Sequence, residues 1–316
     1  MTRAARDLAL DRFRGALIIL MVGGDYLGGV SFVPSFLKHA PDIGLTIADV
    51  VAPGFVFAIG LTYGTSFARR AQQSVSGAYR HFLVRYLALL GIGAIISAGS
   101  VSVAGRPSGW GVLQALGVAG LLCLLVIRLN TAARFVAGLL LLGGYQVLLD
   151  RWALSTVLDS SHGGLIGALA WGALLILATA MADLWRTSLR IYVEACIALA
   201  AIAGVSAFVV PVSKNRVSLS YVLVCLSLAA AAWLLTSLGA RAVGQTTAGF
   251  FCWWGENPLV LYLLHLLLLG VVSLPRPQWL YLEASVPLAA AELVSILLVT
   301  GLAAWWLHRR GVRLTL

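Results

Sequence analysis

His39 lies in a short polar segment, fourteen residues after Asp25 and ten before Asp49. An unperturbed imidazole titrates at about 6.5, so a positioned histidine can take a proton from an amine or a hydroxyl near neutrality. A neighbouring carboxylate can orient the ring and stabilise its protonated form. Asp25 and Asp49 are both candidates for that partner. Imidazole is also a nucleophile, so a route through an acyl-His39 is equally open. Either route suits group transfer to an amine or a hydroxyl. Each residue has a plainer reading beside this one. Asp25 could be a buried hydrogen-bonding residue that packs its helix, and Asp49 could cap the helix that follows it.

These residues must be held by elements that live in lipid. The chain has 316 residues, 60% hydrophobic and 11% charged, with a mean hydropathy of +0.95. A soluble domain carries roughly 25% charged residues, so there is too little polar surface here for a water-soluble fold. Disorder, a collagen-like repeat and a soluble nucleic-acid binder are excluded, and no nucleic-acid partner is expected. A helix needs about 20 mostly apolar residues to cross a bilayer. Ten runs meet that length, at about 14–33, 47–68, 82–104, 110–128, 132–150, 163–182, 190–211, 217–239, 257–274 and 284–307. The expectation is an all-α polytopic membrane bundle of about ten transmembrane helices, residues 1–316 forming one domain.

The net charge of +10 fits this class, because Lys and Arg collect on cytoplasmic loops. With the N-terminus inside, 16 of the 22 basic residues fall on the inner side. Lys38, Arg106, Arg151, Lys214, Arg216 and Arg276 make the outer 6. Both termini are therefore expected in the cytoplasm, with residues 34–46 outside. Cys123, Cys196, Cys225 and Cys252 fall in or beside apolar runs and read as small buried hydrophobes. There is no Walker loop, dinucleotide fingerprint, zincin motif or CxxC, and no metal is expected.

An ionisable residue inside a membrane is costly and marks a functional position by default. Besides Asp25 and Asp49, the spans hold Glu194, His265 and Glu292, and Glu256-Asn257 precede the ninth span. Pro258 suits a first helical turn, so this last pair also reads as a helix start. Tyr262 and His265 are three apart and share a helix face. Arg12 and Arg14 are orientation signals, and their charge also suits phosphate.

The ordered pattern over residues 8–62 resembles the catalytic core of the heparan-alpha-glucosaminide N-acetyltransferase family of transmembrane acyltransferases. Leu10, Asp11, Arg14 and Gly15 match its opening signature. His39-Ala40, Gly44-Leu45-Thr46 with Asp49, and Pro53, Phe55, Phe57 and Gly60 follow in order. The late segment Gly255-Glu256-Asn257-Pro258-Leu259-Val260-Leu261-Tyr262 is similar to a further family element. Asp25 stands where the family has Asn, and Pro41-Asp42 where it usually has Trp.

The resemblance implies acetyl-CoA as donor, a glucosamine-like or glycan acceptor, and His39 as the catalytic group; Asp25 and Asp49 stand beside it as the candidate catalytic carboxylates read from the residues themselves. It implies cofactor contacts at Arg12, Arg14, Glu256, Asn257, Tyr262 and His265. An integral protein of the cell (plasma) membrane is expected, and a homo-oligomer is compatible with this. The competing class is a proton-coupled secondary transporter, which intramembrane carboxylates also suit. Transporters usually carry internal repeats, and no second copy of the 8–62 pattern follows.

Overall fold

The computed structural model describes residues 7–104, 109–242, 244, 248–273 and 277–314, and all regular structure among them is helical. Arg3, Arg6, Arg106 and Arg276, used in the charge count, lie outside the described residues. The α-helices are α1 (Leu8–Gly29), α2 (Val51–Ala71), α3 (Val75–Ala104), α4 (Val112–Val126), α5 (Thr131–Leu148), α6 (Leu154–Leu158), α7 (Gly164–Thr187), α8 (Leu189–Val209), α9 (Leu219–Ala242), α10 (Phe250–Glu256), α11 (Pro258–Ser273) and α12 (Val286–Arg309).

Each of the ten expected runs coincides with a helix, but they are not equal. Among the described residues seven helical segments are long and apolar enough to cross a membrane, and α10 with α11, bent by 89°, makes an eighth if the two are one span. The other two runs differ for separate reasons. α1 carries Asp11, Arg12, Arg14 and Asp25 within its 22 residues. α4 has 15 residues, about 22 Å of helix against a hydrocarbon core of about 30 Å. α1 also starts earlier than its apolar run, because Asp7 caps it and accepts from the backbone of Ala9 and Leu10 at 3.0 and 3.2 Å. That cap brings Asp11, Arg12, Arg14 and Gly15 onto the first two turns of the helix.

The chain divides into two compact units. The first holds the chain up to His39, then Thr46–Val51, then Ala231 onward. Its core is α1 packed on α10, α11 and α12. The approach of α1 to α10 is backbone to backbone. A Cβ on Gly15 would overlap the carbonyl oxygen of Phe251, and one on Gly255 would overlap that of Asp11. Phe13 closes the same region edge-on against Trp233, centroids 5.9 Å apart.

The second unit holds Ala40–Leu45 and Ala52–Ala230. Its axis is α7, buried along nearly its whole length and packed on α4, α5 and α8. Gly60 of α2 lies against Ala178 of α7, where an added Cβ would come within 2.6 Å of the Ala178 methyl. Phe57 is fully buried one turn earlier. The Pro-x-Phe-x-Phe-x-x-Gly stretch thus has a packing role in this unit. Tyr63 donates to the carbonyl of Gly120 at 2.8 Å, and Arg134 pairs with Asp183.

Candidate active site

α1 ends at Gly29, and the chain leaves it in an extended turn at Val30. The amide of Ser31 donates to the carbonyl of Leu282 at 2.8 Å, which fixes the exit. A single 3-10 turn, Ser35–Leu37, leads into Lys38 and His39. Lys38 folds back, its ammonium 3.3 Å from the carbonyl oxygen of Ser31. His39 is thus presented by a short, locally tied segment, with its side chain 42% exposed.

Asp49 sits in another 3-10 turn, Ala48–Val50, directly before α2. Its Oδ1 is 2.8 Å from Nδ1 of His39. Its Oδ2 accepts from both the amide and the hydroxyl of Thr46, each at 3.0 Å. The Asp49 side chain is fully buried. One oxygen therefore braces the carboxylate against the backbone, and the other holds the imidazole. The helix-start reading of Asp49 and its partnership with His39 coexist in one side chain.

Asp25 takes a different partner. Its Oδ2 lies 2.9 Å from Nε2 of His265 on α11, so α1 and α11 are joined by a second carboxylate–histidine pair. The Asp25 side chain is 33% exposed and that of His265 1%. The ring of Tyr262 packs against His265 at 5.3 Å. The next residue on α1, Tyr26, is buried and donates its hydroxyl to Glu292 of α12 at 2.7 Å. Its backbone carbonyl accepts from the hydroxyl of Tyr281 at 2.9 Å. Tyr26 and Tyr281 were not singled out from sequence and Glu292 only as one of the intramembrane acids, since their pairings span more than 250 positions. The two carboxylate–histidine pairs are neighbours. A Cβ added to Gly24 would stand 3.8 Å from that of Ala48, so α1 passes close beside the turn that carries Asp49.

The remaining expected contacts fall elsewhere in this unit. Arg12 and Arg14 are half-buried on the first two turns of α1, and Arg14 is about 16 Å of helical rise from Asp25. Glu256 and Asn257 mark the break between α10 and α11. Asn257 leaves helical geometry at φ −130° and ψ 59°, and Pro258 opens α11. Both polar side chains engage the end of the chain. Glu256 is 2.7 Å from Nδ1 of His308 and 3.9 Å from Nε of Arg313. Asn257 donates to the carbonyl of Val312 at 3.0 Å and accepts from the amide of Leu314 at 2.8 Å. Among the described residues no group of three or more His, Cys, Asp or Glu is placed to hold a metal ion.

In the second unit, Asp42 forms a clamp with Arg216, whose Nε lies 3.0 and 3.1 Å from the two carboxylate oxygens. Ser213 donates to the same carboxylate at 2.8 Å. The guanidinium of Arg216 holds the Asp42 carboxyl below its ordinary range, with the Ser213 bond assisting. Gly44 adopts φ +126° and donates to the carbonyl of Val212 at 2.8 Å. Only glycine takes that backbone geometry without strain, which accounts for the Gly of Gly44-Leu45-Thr46.

The family model described as heparan-alpha-glucosaminide N-acetyltransferase, catalytic, matches residues 6–183, more than half of the chain. It includes Arg12, Arg14, Asp25, His39 and Asp49, while Glu256, Asn257, Tyr262 and His265 lie beyond it. The heparan-alpha-glucosaminide N-acetyltransferase of Homo sapiens is 37% identical over 123 residues, covering 35% of this chain and 17% of that protein. The Mus musculus protein of the same name is 35% identical over 128 residues, 36% of this chain and 18% of that protein. The matched stretch is thus less than a fifth of the length of either curated relative.

Proposed function

The chain belongs to the heparan-alpha-glucosaminide N-acetyltransferase family, and from that premise we propose that it moves an acetyl group from acetyl-CoA to an amino sugar or related glycan at the His39–Asp49 pair. The observation that carries this reading is the 2.8 Å contact between His39 and a fully buried, doubly braced Asp49. Asp49 holds Nδ1 of the imidazole, which directs proton transfer to Nε2. A buried carboxylate that is already hydrogen-bonded needs little reorganisation when the ring becomes positive.

In the reaction, His39 takes a proton from the acceptor nitrogen as that nitrogen bonds to the acetyl carbonyl carbon. The carbon–sulfur bond then breaks, and His39 returns the proton to the departing sulfur. An acceptor that arrives as an ammonium loses two protons in all. One ends on the CoA thiol and the other in solvent.

Arg12 and Arg14 suit the donor's phosphates, because charge-assisted contacts to phosphate are strong and arginine matches its geometry. Glu256 and Asn257 serve the donor site indirectly in this reading, by tying residues 308–314 to the start of α11. Tyr262 lines the donor site from α11 in this reading, with its ring backed by that of His265. The apolar helices make this an integral membrane protein, and we place it in the plasma membrane, which fractionation of cells expressing it tests. Transport is not favoured by membership of a family named for acetyl transfer.

The direct experiment uses purified full-length protein in detergent with acetyl-CoA. Glucosamine should elicit stoichiometric free thiol and N-acetylated sugar. Uptake of amino sugar into proteoliposomes lacking CoA, with no thiol released in either format, would replace the proposal with transport.

A further inference from the structure

We propose that Asp25 is the subsite for the acceptor's ammonium group, and that His265 is a positioning residue that holds the Asp25 carboxylate in place. This rests on the amino-sugar reading above and deepens it by giving the acceptor's charge a recognition site.

Asp25 accepts at Oδ2 from the His265 ring, and its Oδ1 has no hydrogen-bond partner among the described residues. The side chain is one-third exposed, so that oxygen can be reached. His265 is buried, and its Nδ1 has no partner among the described residues. The ring's one hydrogen-bond partner among them is therefore Asp25, through Nε2, and the contact fixes the position of the carboxylate.

Among the described residues no Lys or Arg is paired with Asp25 or with nearby Glu292. Tyr281 lies within electrostatic reach of both carboxylates, and Tyr262 of Asp25. An uncompensated carboxylate among tyrosines in a membrane protein calls for a cation from outside the chain. Its place identifies which cation. α1 runs beside the turn Ala48–Val50, close enough at Gly24 that an added Cβ would meet the Ala48 methyl, so Asp25 follows directly on the stretch of α1 next to the segment that carries Asp49 and, through it, His39. An amino sugar carries its positive charge on the atom that must react. A subsite for that charge next to the base brings the nucleophile to the chemistry and discriminates an amine from a hydroxyl at the same ring position. His265 does not touch the acceptor in this scheme. It fixes the rotamer of Asp25, as an amide N–H donor in the same place would.

The test measures binding and turnover separately, on the full-length protein in detergent. Glucosamine and glucose are the probes, since they differ by an amine against a hydroxyl. By calorimetry the wild type should prefer glucosamine by about ten- to a hundredfold, the worth of a charge-assisted hydrogen bond. Asp25→Asn should erase the preference while leaving acetyl-CoA affinity unchanged, which also reports that the variant is folded. His265→Leu should weaken the preference, and His265→Gln, which retains an N–H donor, should restore it. A check without any substitution is the pH series, in which the wild-type preference collapses as the amine itself loses its proton. A wild type without preference, or an Asp25→Asn protein that keeps it, overturns the subsite. Thiol release with glucosamine but no binding preference defeats the subsite and leaves acetyl transfer standing. A preference that depends on Asp25 without any thiol release does the reverse.

Discussion

At the scale of single residues, the site is a pair of carboxylate–histidine contacts with different surroundings. Asp49 is sealed, with Oδ2 braced twice by Thr46 and Oδ1 on His39, while Asp25 is partly open and held at one oxygen. That contrast is why His39 and Asp49 are proposed as the proton-transfer pair. Asp49→Asn should lower kcat by about 10²–10⁴-fold, because an amide cannot stabilise the charged ring. Thr46→Val, which retains the amide bond to Asp49 and loses only the hydroxyl, should cost less. Steady-state kinetics at saturating acetyl-CoA measures both, and equal losses would contradict the bracing role. The His39–Asp49 pairing was half legible in the sequence, since its members are ten positions apart within one motif. The choice between Asp25 and Asp49 was not legible. His265, the partner that takes Asp25 away from His39, is 240 positions distant and follows no helical period.

At the scale of elements, glycine and loop chemistry decide where those side chains stand. Gly15 and Gly255 let α1 and α10 meet backbone to backbone. Gly15→Ala should therefore lower thermal stability in detergent by roughly 1–3 kcal/mol, the usual cost of overpacking. Gly23→Ala is the control, since no described atom lies within 4 Å of its added methyl. A Gly15→Ala protein as stable as Gly23→Ala would refute the close contact. Hydropathy foretold the helical runs, but not that α4 is short or that α10 and α11 bend by 89°. Pro258 signalled a helix start, while the hydrogen bonds of Asn257 to residues 312 and 314 are long-range and carry no local signature. The Asp42–Arg216 clamp makes a pH prediction. Arg216 depresses the Asp42 pKa in the folded protein, so the clamp's stabilisation is complete above the ordinary aspartate value of about 3.9 and is lost as pH falls through the depressed one. Wild type should exceed Asp42→Asn in thermal stability by a constant margin above about pH 5. The two should converge in stronger acid, and a margin that grows there would reverse the assignment.

At the scale of the whole molecule, composition alone excluded a water-soluble fold, and membership of an acetyltransferase family supplies the chemistry to be tested. The expected orientation rests on charge, since the ten-span reading puts 16 of 22 basic residues on the inner side. In a background lacking the four native cysteines, an impermeant thiol reagent added from outside should label Lys38→Cys and spare Val75→Cys. The opposite pattern would invert the topology and turn the His39 segment toward the cytoplasm. The central claim is that acetyl transfer passes through His39, and the most direct test is the turnover of His39→Ala in protein shown by calorimetry still to bind acetyl-CoA. Glucosamine-dependent thiol release should fall by at least about 10²-fold with acetyl-CoA affinity unchanged. A His39→Ala protein that releases CoA at the wild-type rate would contradict the account.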